Sequence, residues 1–291
     1  MRIDLHTHSR ASDGTQSPAE VVRAASDAGL DVVALTDHDT AQGWAEAAAA
    51  AGETGIELVT GIEISTRYEH AGVHLLAYLP DAADPALVHA LDLVLEGRSS
   101  RVPAILDKLR AVGVDLTEDD VRRVAAHTPA TGRPHVADAL VAAGVVADRA
   151  EAFERYLSPG RPGYATRYAA DLEDMVPLVV AAGGVPVMAH PWARSAGTVL
   201  SEAAFASLQE LGLAGIEVDH QGHDAGQRAR LRAIAGNLGL IVTGSSDYHG
   251  TGKVDHELGC NTTDPAEYER IRELAVSAQE VRAAQAARAA R

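Results

Sequence analysis

Only one cysteine, Cys260, occurs in 291 residues. Neither an internal disulfide nor a thiolate metal cluster can be built from it, and the default compartment is the cytosol, that is, a cytoplasmic protein. Lysine is nearly as scarce, with Lys108 and Lys253 alone. Aromatic residues make up 4%, too few for extended base-stacking platforms. No apolar run approaches the ~20 residues of a membrane span, and Met1-Arg2-Ile3-Asp4 leads straight into a strand-like segment. That argues against a signal peptide or a membrane segment. Positive charge is short as well. Lys plus Arg total 25 against 41 Asp plus Glu, and the net −16 opposes binding to long duplex nucleic acid or anionic membrane.

What the chain does have is a 46% apolar content, enough for a full core, and 13 histidines that acidity does not explain. Strand-like runs at residues 2–6, 31–36, 57–63, 73–79, 185–190, 215–219 and 240–244 alternate with helical segments. Ser17-Pro18-Ala19-Glu20 is a capping box with proline at the first helical position, and Gly29 closes that helix. Thr40 is expected to open an alanine-rich helix ending near Gly52, and Asp264-Pro265-Ala266-Glu267 a final helix with an Ala/Arg-rich tail. The alternation implies parallel strand–helix–strand units, and about seven strands suit a TIM-like α/β barrel better than an open sheet. Residues 98–167 break the rhythm. They read as helical without strands, an inserted α-subdomain within a barrel formed by residues 1–97 and 168–291. The insert carries 11 Lys/Arg and 9 Asp/Glu, so it is weakly basic while the remainder is strongly acidic.

The chemistry gathers at strand ends. His6-Thr7-His8 closes the first strand, and a period of two points both imidazoles the same way, so they can share an ion. Asp13 follows in a Ser-Asp-Gly turn. His38 sits in Thr36-Asp37-His38-Asp39 after the second strand, Glu63 ends the third, and His74 opens the fourth. His190 ends the fifth, while Asp247 and His249 follow the last. In a parallel barrel these ends converge. Carboxylates and imidazoles crowded there oppose one another unless divalent cations resolve the conflict. Nine donors exceed the needs of one ion. Two or three first-row ions fit, and mixed nitrogen and oxygen ligation suits Mn, Fe or Zn. Such a centre can turn water into hydroxide near neutral pH and clamp phosphate oxygens.

At these positions the sequence resembles the PHP (polymerase and histidinol phosphatase) family. Asp4-Leu5-His6-Thr7-His8-Ser9, Leu35-Thr36-Asp37-His38-Asp39-Thr40, Gly61-Ile62-Glu63-Ile64-Ser65, Ala189-His190-Pro191 and Gly244-Ser245-Ser246-Asp247-Tyr248-His249-Gly250 carry the likeness. It implies a distorted (β/α)7 barrel with a trinuclear site, manganese first among its metals, that hydrolyses phosphoesters by attack of a metal-bridging hydroxide. By that resemblance His6, His8, Glu63 and Asp247 hold the first ion, Glu63 bridges to a second held by His74 and His190, and Asp13, His38 and His249 hold the third. Gly97-Arg98-Ser99-Ser100-Arg101 and Gly132-Arg133-Pro134-His135 are similar to a branch whose helical insertion covers the site. That branch removes the 3′-phosphate of nucleoside 3′,5′-bisphosphates and trims short RNA from its 5′ end. Arg98, Arg101, Arg133 and His135 are accordingly the expected anchors for a second phosphate, since guanidinium forks bind phosphate bidentately. The expected partner is a small phosphorylated substrate, a nucleotide or short oligonucleotide.

Other residues invite plainer readings. His70, His89, His127 and His256 are expected at the surface, and Cys260 as a buried apolar filler. Asp37 and Asp39 are expected to orient imidazoles, while Gly183-Gly184 reads as a helix-to-strand turn. His220 and His223 follow the strand at 215–219 and are candidates to protonate the leaving group. Histidinol phosphate is the rival substrate. An amidohydrolase acting on C–N bonds is a further alternative, weakened because neither lysine sits at a strand end to form a carbamylated bridge.

Overall fold

A computed structural model describes residues 1–126, 128–193 and 199–289. His127 lies outside the described residues. The order is β1 (Ile3–Thr7), α1 (Pro18–Asp27), β2 (Val32–Leu35), α2 (Trp44–Thr54), β3 (Glu57–Tyr68), β4 (Ala71–Tyr78), α3 (Pro85–Ser99), α4 (Val102–Arg110), α5 (Glu118–Ala125), α6 (Arg133–Ala142) and α7 (Arg149–Ala152). Then follow β5 (Ala170–Asp171), α8 (Leu172–Ala181), β6 (Val185–Ala189), α9 (Glu202–Glu210), β7 (Gly215–Asp219), α10 (Ala225–Leu238), β8 (Ile241–Gly244) and α11 (Pro265–Ala289). The strands run β1-β2-β3-β4-β6-β7-β8, with the two-residue β5 pairing beside β3. A Thr7–Tyr248 bridge and the Thr263 N–H on the Ile3 carbonyl bring the two edges together, giving a nearly closed seven-stranded barrel.

The strands β1, β2 and β6 are buried along their whole length, as expected where a sheet is covered on both faces. Ile3, Leu5, Val32, Val59, Leu76 and Val187 fill an inner cluster, and helices pack outside on Val176, Phe205, Leu231 and their neighbours. Helix α1 begins as its sequence dictates, with Ser17 accepting from the Glu20 amide and the Glu20 carboxylate accepting from the Ser17 amide. Gly183, at φ +76°, makes the turn from α8 into β6.

Three expectations need correction. The strands are not all parallel: β4 runs antiparallel to both β3 and β6. No helix separates β3 from β4, so the chain reverses at Glu69 and His70 in a tight hairpin, with Glu69 at φ +50°. That pairing prolongs β3 five residues past its expected end at Glu63. The alanine-rich helix starts at Trp44, four residues after Thr40, whose hydroxyl instead accepts from the Gln42 amide.

Within residues 98–167 the described residues form helices and turns around an apolar cluster of their own, including Ile105, Leu109, Val121, Val136, Leu140 and Leu157. Leu109 is fully buried. Leu109→Ala should cost about 2–5 kcal/mol of unfolding free energy by urea titration. A cost below ~1 kcal/mol would contradict a tightly packed insert.

Candidate metal centre

His6 sits in β1 and His8 just past it, and their Nε2 atoms face each other at 3.0 Å. The His6 Nδ1 lies 3.0 Å from Glu217 Oε1, so the neutral ring keeps its proton there and leaves Nε2 as its donor atom for a cation. Glu63, 1% exposed, is the hub. Its Oε2 lies 3.4 Å from His6, 3.2 Å from His8 and 3.0 Å from His38, and its Oε1 lies 2.7 Å from His74 and 2.9 Å from His190. Asp247 Oδ1 approaches His6 and His8 at 3.6 and 3.5 Å. Asp13 faces His249 at 3.3 Å, His8 at 3.6 Å and His38 at 3.8 Å. All nine expected donors therefore share one cluster, eight of them buried and His74 partly so. His74 reaches it from the first half of β4, because that strand runs the opposite way and pairs His74 with Ser65.

The electrostatics are those of a site built around cations. Against the upward pull of burial, His38, His74 and His6 hold the Glu63 carboxyl well below its usual range. Asp13 and Asp247 are held down too, Asp13 chiefly by His38 and His249, Asp247 by Lys253 and His6. Burial pushes His190 down to about 3, and burial with Lys253 pushes His249 down to about 4. Against the downward pull of burial, Glu217, Glu63 and Asp247 raise His6 well above its usual value, and Asp247 and Glu63 raise His8 to about 9. A cation takes the place of such protons, and deprotonated imidazoles beside ionised carboxylates are a metal-ready donor set. Four triads of donor atoms lie within 4.8 Å: His6-Glu63-His190, His6-His8-Asp247, His8-His38-Glu63 and His8-Asp13-His249. The donors fit divalent ions of mixed nitrogen and oxygen preference. Asp39, His190 and Asp247 hold left-handed backbone at φ +58°, +25° and +54°, strain of the kind that gathers at functional sites.

A fifth triad, His220-Asp247-His256, suits a cation poorly. His220 Nδ1 accepts from the Gly222 amide at 2.9 Å, which puts its proton on Nε2, 3.1 Å from Asp247 Oδ2. His220 thus carries a proton at the site. His223 does not: its Nε2 accepts from the Trp192 amide at 3.1 Å and its Nδ1 donates to the Val218 carbonyl at 2.9 Å. Its expected role as proton donor gives way to that of a main-chain brace.

Other expectations change. Asp37 orients no imidazole directly; it accepts from the Ser9 amide and from the Ser9 and Ser12 hydroxyls, fixing the loop to Asp13. Asp39 binds Ser65 and pairs with Arg98. His256, expected at the surface, is half-buried and bonds the Ser246 carbonyl at 2.6 Å, whereas His70 and His89 are exposed as expected. Cys260 is exposed because its segment is an irregular loop after β8. Glu217 and Lys253, neither foreseen, brace His6 and Asp247. The alternation of β7 aims the Glu217 side chain inward, a signal that could have found it. Lys253 lies in an irregular loop and left none.

Of the expected phosphate anchors, His135 has both ring nitrogens engaged by main chain, accepting from Gly132 and donating to Ser12. Its ring is structural. Arg98 is buried and also donates to the Ser65 hydroxyl at 2.8 Å. Arg133 bonds the Leu157 carbonyl and lies over the Phe153 and Tyr164 rings. Arg101 is buried with its Nε lacking any hydrogen-bond partner. Burial, then Arg133, Arg167 and Arg98, push its guanidinium down to about 8. Arginine does not give up its proton in proteins, so a buried positive charge stands here among other guanidiniums. Arg167, unforeseen, belongs to the same group, and its own guanidinium is pushed down to about 10 by burial and by Arg98.

A buried donor cluster at the mouth of a seven-stranded barrel defines a hydrolase whose donor set suits divalent metal ions. The PHP domain model matches residues 4–106. The chain is 38% identical over 257 residues to the 3′,5′-nucleoside bisphosphate phosphatase of Chromobacterium violaceum, covering 88% of this chain and 90% of that protein. It is 35% identical over 248 residues to a 5′-3′ exoribonuclease of Haemophilus influenzae, covering 85% and 90%. A crystal structure from Bifidobacterium adolescentis, described as a candidate metal-dependent phosphoesterase, superposes with a TM-score of 0.89 at 36% identity, covering 94% and 96%. The chain belongs to the PHP family.

Because the Glu217 carboxylate fixes the His6 tautomer, Glu217→Gln should weaken divalent-metal binding by about 10–100-fold. Equilibrium dialysis against Mn2+ measures it, and unchanged affinity would remove Glu217 from the account.

Proposed function

We propose that the protein is a metal-dependent phosphoesterase that removes the 3′-phosphate of a nucleoside 3′,5′-bisphosphate, with the 5′ end of short RNA as an extended substrate. Three divalent ions, Mn2+ foremost, are held by His6, His8, Glu63 and Asp247, by Glu63, His74 and His190, and by Asp13, His38 and His249. When bound, such ions supply Lewis acidity toward phosphoryl oxygens and lower the pKa of water.

The observation that carries the substrate is the arginine group beside the donors. Arg98 is close enough to contribute to depressing the His38 imidazole and pairs with Asp39, the next residue in the chain. Around it crowd Arg101, Arg133 and Arg167, and the buried Arg101 Nε has no hydrogen-bond partner. A phosphate one nucleotide unit from the scissile bond would supply the missing anion. The insert of residues 98–167 brings most of these cations, so it acts as the substrate-covering subdomain. His220, with its proton on Nε2 toward Asp247, is the side chain poised to protonate the departing oxygen. The net −16 keeps long duplexes away, while a mononucleotide or a short RNA end meets the local positive charge. Among the described residues no helix is long and apolar enough to cross a membrane.

Three measurements test this. Rates on adenosine 3′,5′-bisphosphate, AMP and histidinol phosphate should favour the bisphosphate; a clear preference for histidinol phosphate would contradict the assignment. Asp13→Ala or His190→Ala should lower turnover more than ~100-fold with the fold intact by circular dichroism. Arg101→Met should raise KM for the bisphosphate about 10–100-fold, the loss of a charge-assisted hydrogen bond of about 1.5–3 kcal/mol, and leave a monophosphate nearly unaffected. Equal effects on both substrates would argue against a second-phosphate anchor.

A further inference from the structure

The loop that carries Asp13 has no regular structure, and three consecutive carbonyls of it are each held by a side chain from the helical segment. Thr128 Oγ1 donates to the Ala11 carbonyl at 2.6 Å, His135 Nε2 to the Ser12 carbonyl at 3.0 Å, and Arg149 Nη1 to the Asp13 carbonyl at 2.7 Å. These donors come from the turn before α6, the first turn of α6 and the start of α7. Each is fixed in turn. The Thr128 hydroxyl also accepts from the Ala130 amide, and His135 Nδ1 accepts from Gly132, which commits the ring proton to Ser12. Arg149 grips Asp138 with a second fork, Nη2 to Oδ2 at 2.6 Å. The loop itself has little freedom to compensate: a Cβ at Gly14 would lie 2.4 Å from the His8 carbonyl oxygen.

Arg149 also abuts the other loop of this corner. A Cβ on Gly252 would come within 2.4 Å of Arg149 Nη1, so the turn after His249 closes directly on the guanidinium. Thr15 joins the two loops, since its amide and its hydroxyl both donate to the His249 carbonyl, at 3.1 and 3.2 Å. The contrast with the other donors is mechanical. His6, Glu63 and His74 lie in barrel strands, His8 and His190 immediately follow one, and His38 and Asp247 lie shortly past β2 and β8, whereas Asp13, tied through Thr15 to the His249 carbonyl, stands on the loop whose carbonyls the insert holds.

We infer that Thr128, His135 and Arg149 are positioning residues for the Asp13–His249 corner, so that docking of the helical insert sets the affinity of the ion held there and of no other. This rests on the three-ion reading above. The insert then couples two things in one movement: it brings the arginines to the substrate and tightens the third ion. An enzyme whose insert is displaced would release first the ion that Asp13 holds and retain the two whose donors do not include Asp13.

The test is metal content and affinity rather than turnover. Wild type, Asp13→Ala, Arg149→Met, Thr128→Val and the exposed insert variant Arg123→Met are dialysed against graded Mn2+, and metal per chain is read by mass spectrometry. Arg123 pairs with Asp120 on the exposed face of α5, so its variant should match wild type. Arg149→Met should weaken one of three ions by about 10–100-fold and leave the other two unchanged, the usual cost of losing a partner behind a metal ligand. Thr128→Val, which removes one hydroxyl at constant shape, should move the same ion by less and carries the test if Arg149→Met does not fold. Three ions at wild-type affinity in both variants would overturn the clamp alone. Parallel loss of all three would overturn it as well, by showing general damage. A wild type indistinguishable from Asp13→Ala would overturn the three-ion reading and the clamp with it.

Discussion

A carboxylate shut away from water needs positive charge or a full set of hydrogen bonds, and Glu63 has five imidazoles within 3.4 Å and almost no exposure. Two oxygens offer about four lone-pair directions, so the rings outnumber the places available. Some of those rings also bring nitrogens together, as His6 and His8 do at 3.0 Å, where only a proton or a cation between them makes the contact favourable. Protonating every ring would relieve the lone pairs and pile up positive charge; leaving them neutral strands the carboxylates. Small divalent cations between donors remove both difficulties at once. The barrel mouth depends on that resolution, because Asp13 and Asp247 face the same choice with the same neighbours.

The surrounding architecture serves to hold these donors rigidly. Glu217 ties His6 from behind and takes the His190 amide on its other oxygen at 2.7 Å. Asp4 receives the Ser246 and Gly259 amides, anchoring the segment that carries Asp247. Asp37 does the same for the Ser9–Ser12 turn. Such buried carboxylates are costly unless every oxygen is engaged, and here each is paid for by several donors. Beyond them the helical segment supplies a group of arginines, among which the buried Arg101 Nε has no hydrogen-bond partner. On the proposed reading the carboxylate–imidazole cluster and the arginines are complementary halves, one suited to cations and the other to an anion.

Much of this was legible in the sequence because it rests on short-range rules. Period-two alternation places His6 and His8 together, Ser17 and Glu20 begin a helix unaided, and donors after successive strands converge once a barrel closes. What escaped depends on tertiary contacts. The hairpin at Glu69 and His70 has no glycine to announce it, so β4 looked parallel. His135 and His223 are the residue types that chemistry calls for, yet their nitrogens go to main-chain partners that only folding brings near. Arg167 lies outside the motif segments and joins Arg101 across the insert. Lys253 comes from an irregular loop, where no periodicity tells which way a side chain points.

The most direct test is a crystal grown with Mn2+ and measured at the manganese absorption edge. The account predicts three anomalous peaks, one among His6, His8, Glu63 and Asp247, one among Glu63, His74 and His190, and one among Asp13, His38 and His249. No peak within the cluster, at saturating Mn2+ and with the side chains arranged as described, would contradict it.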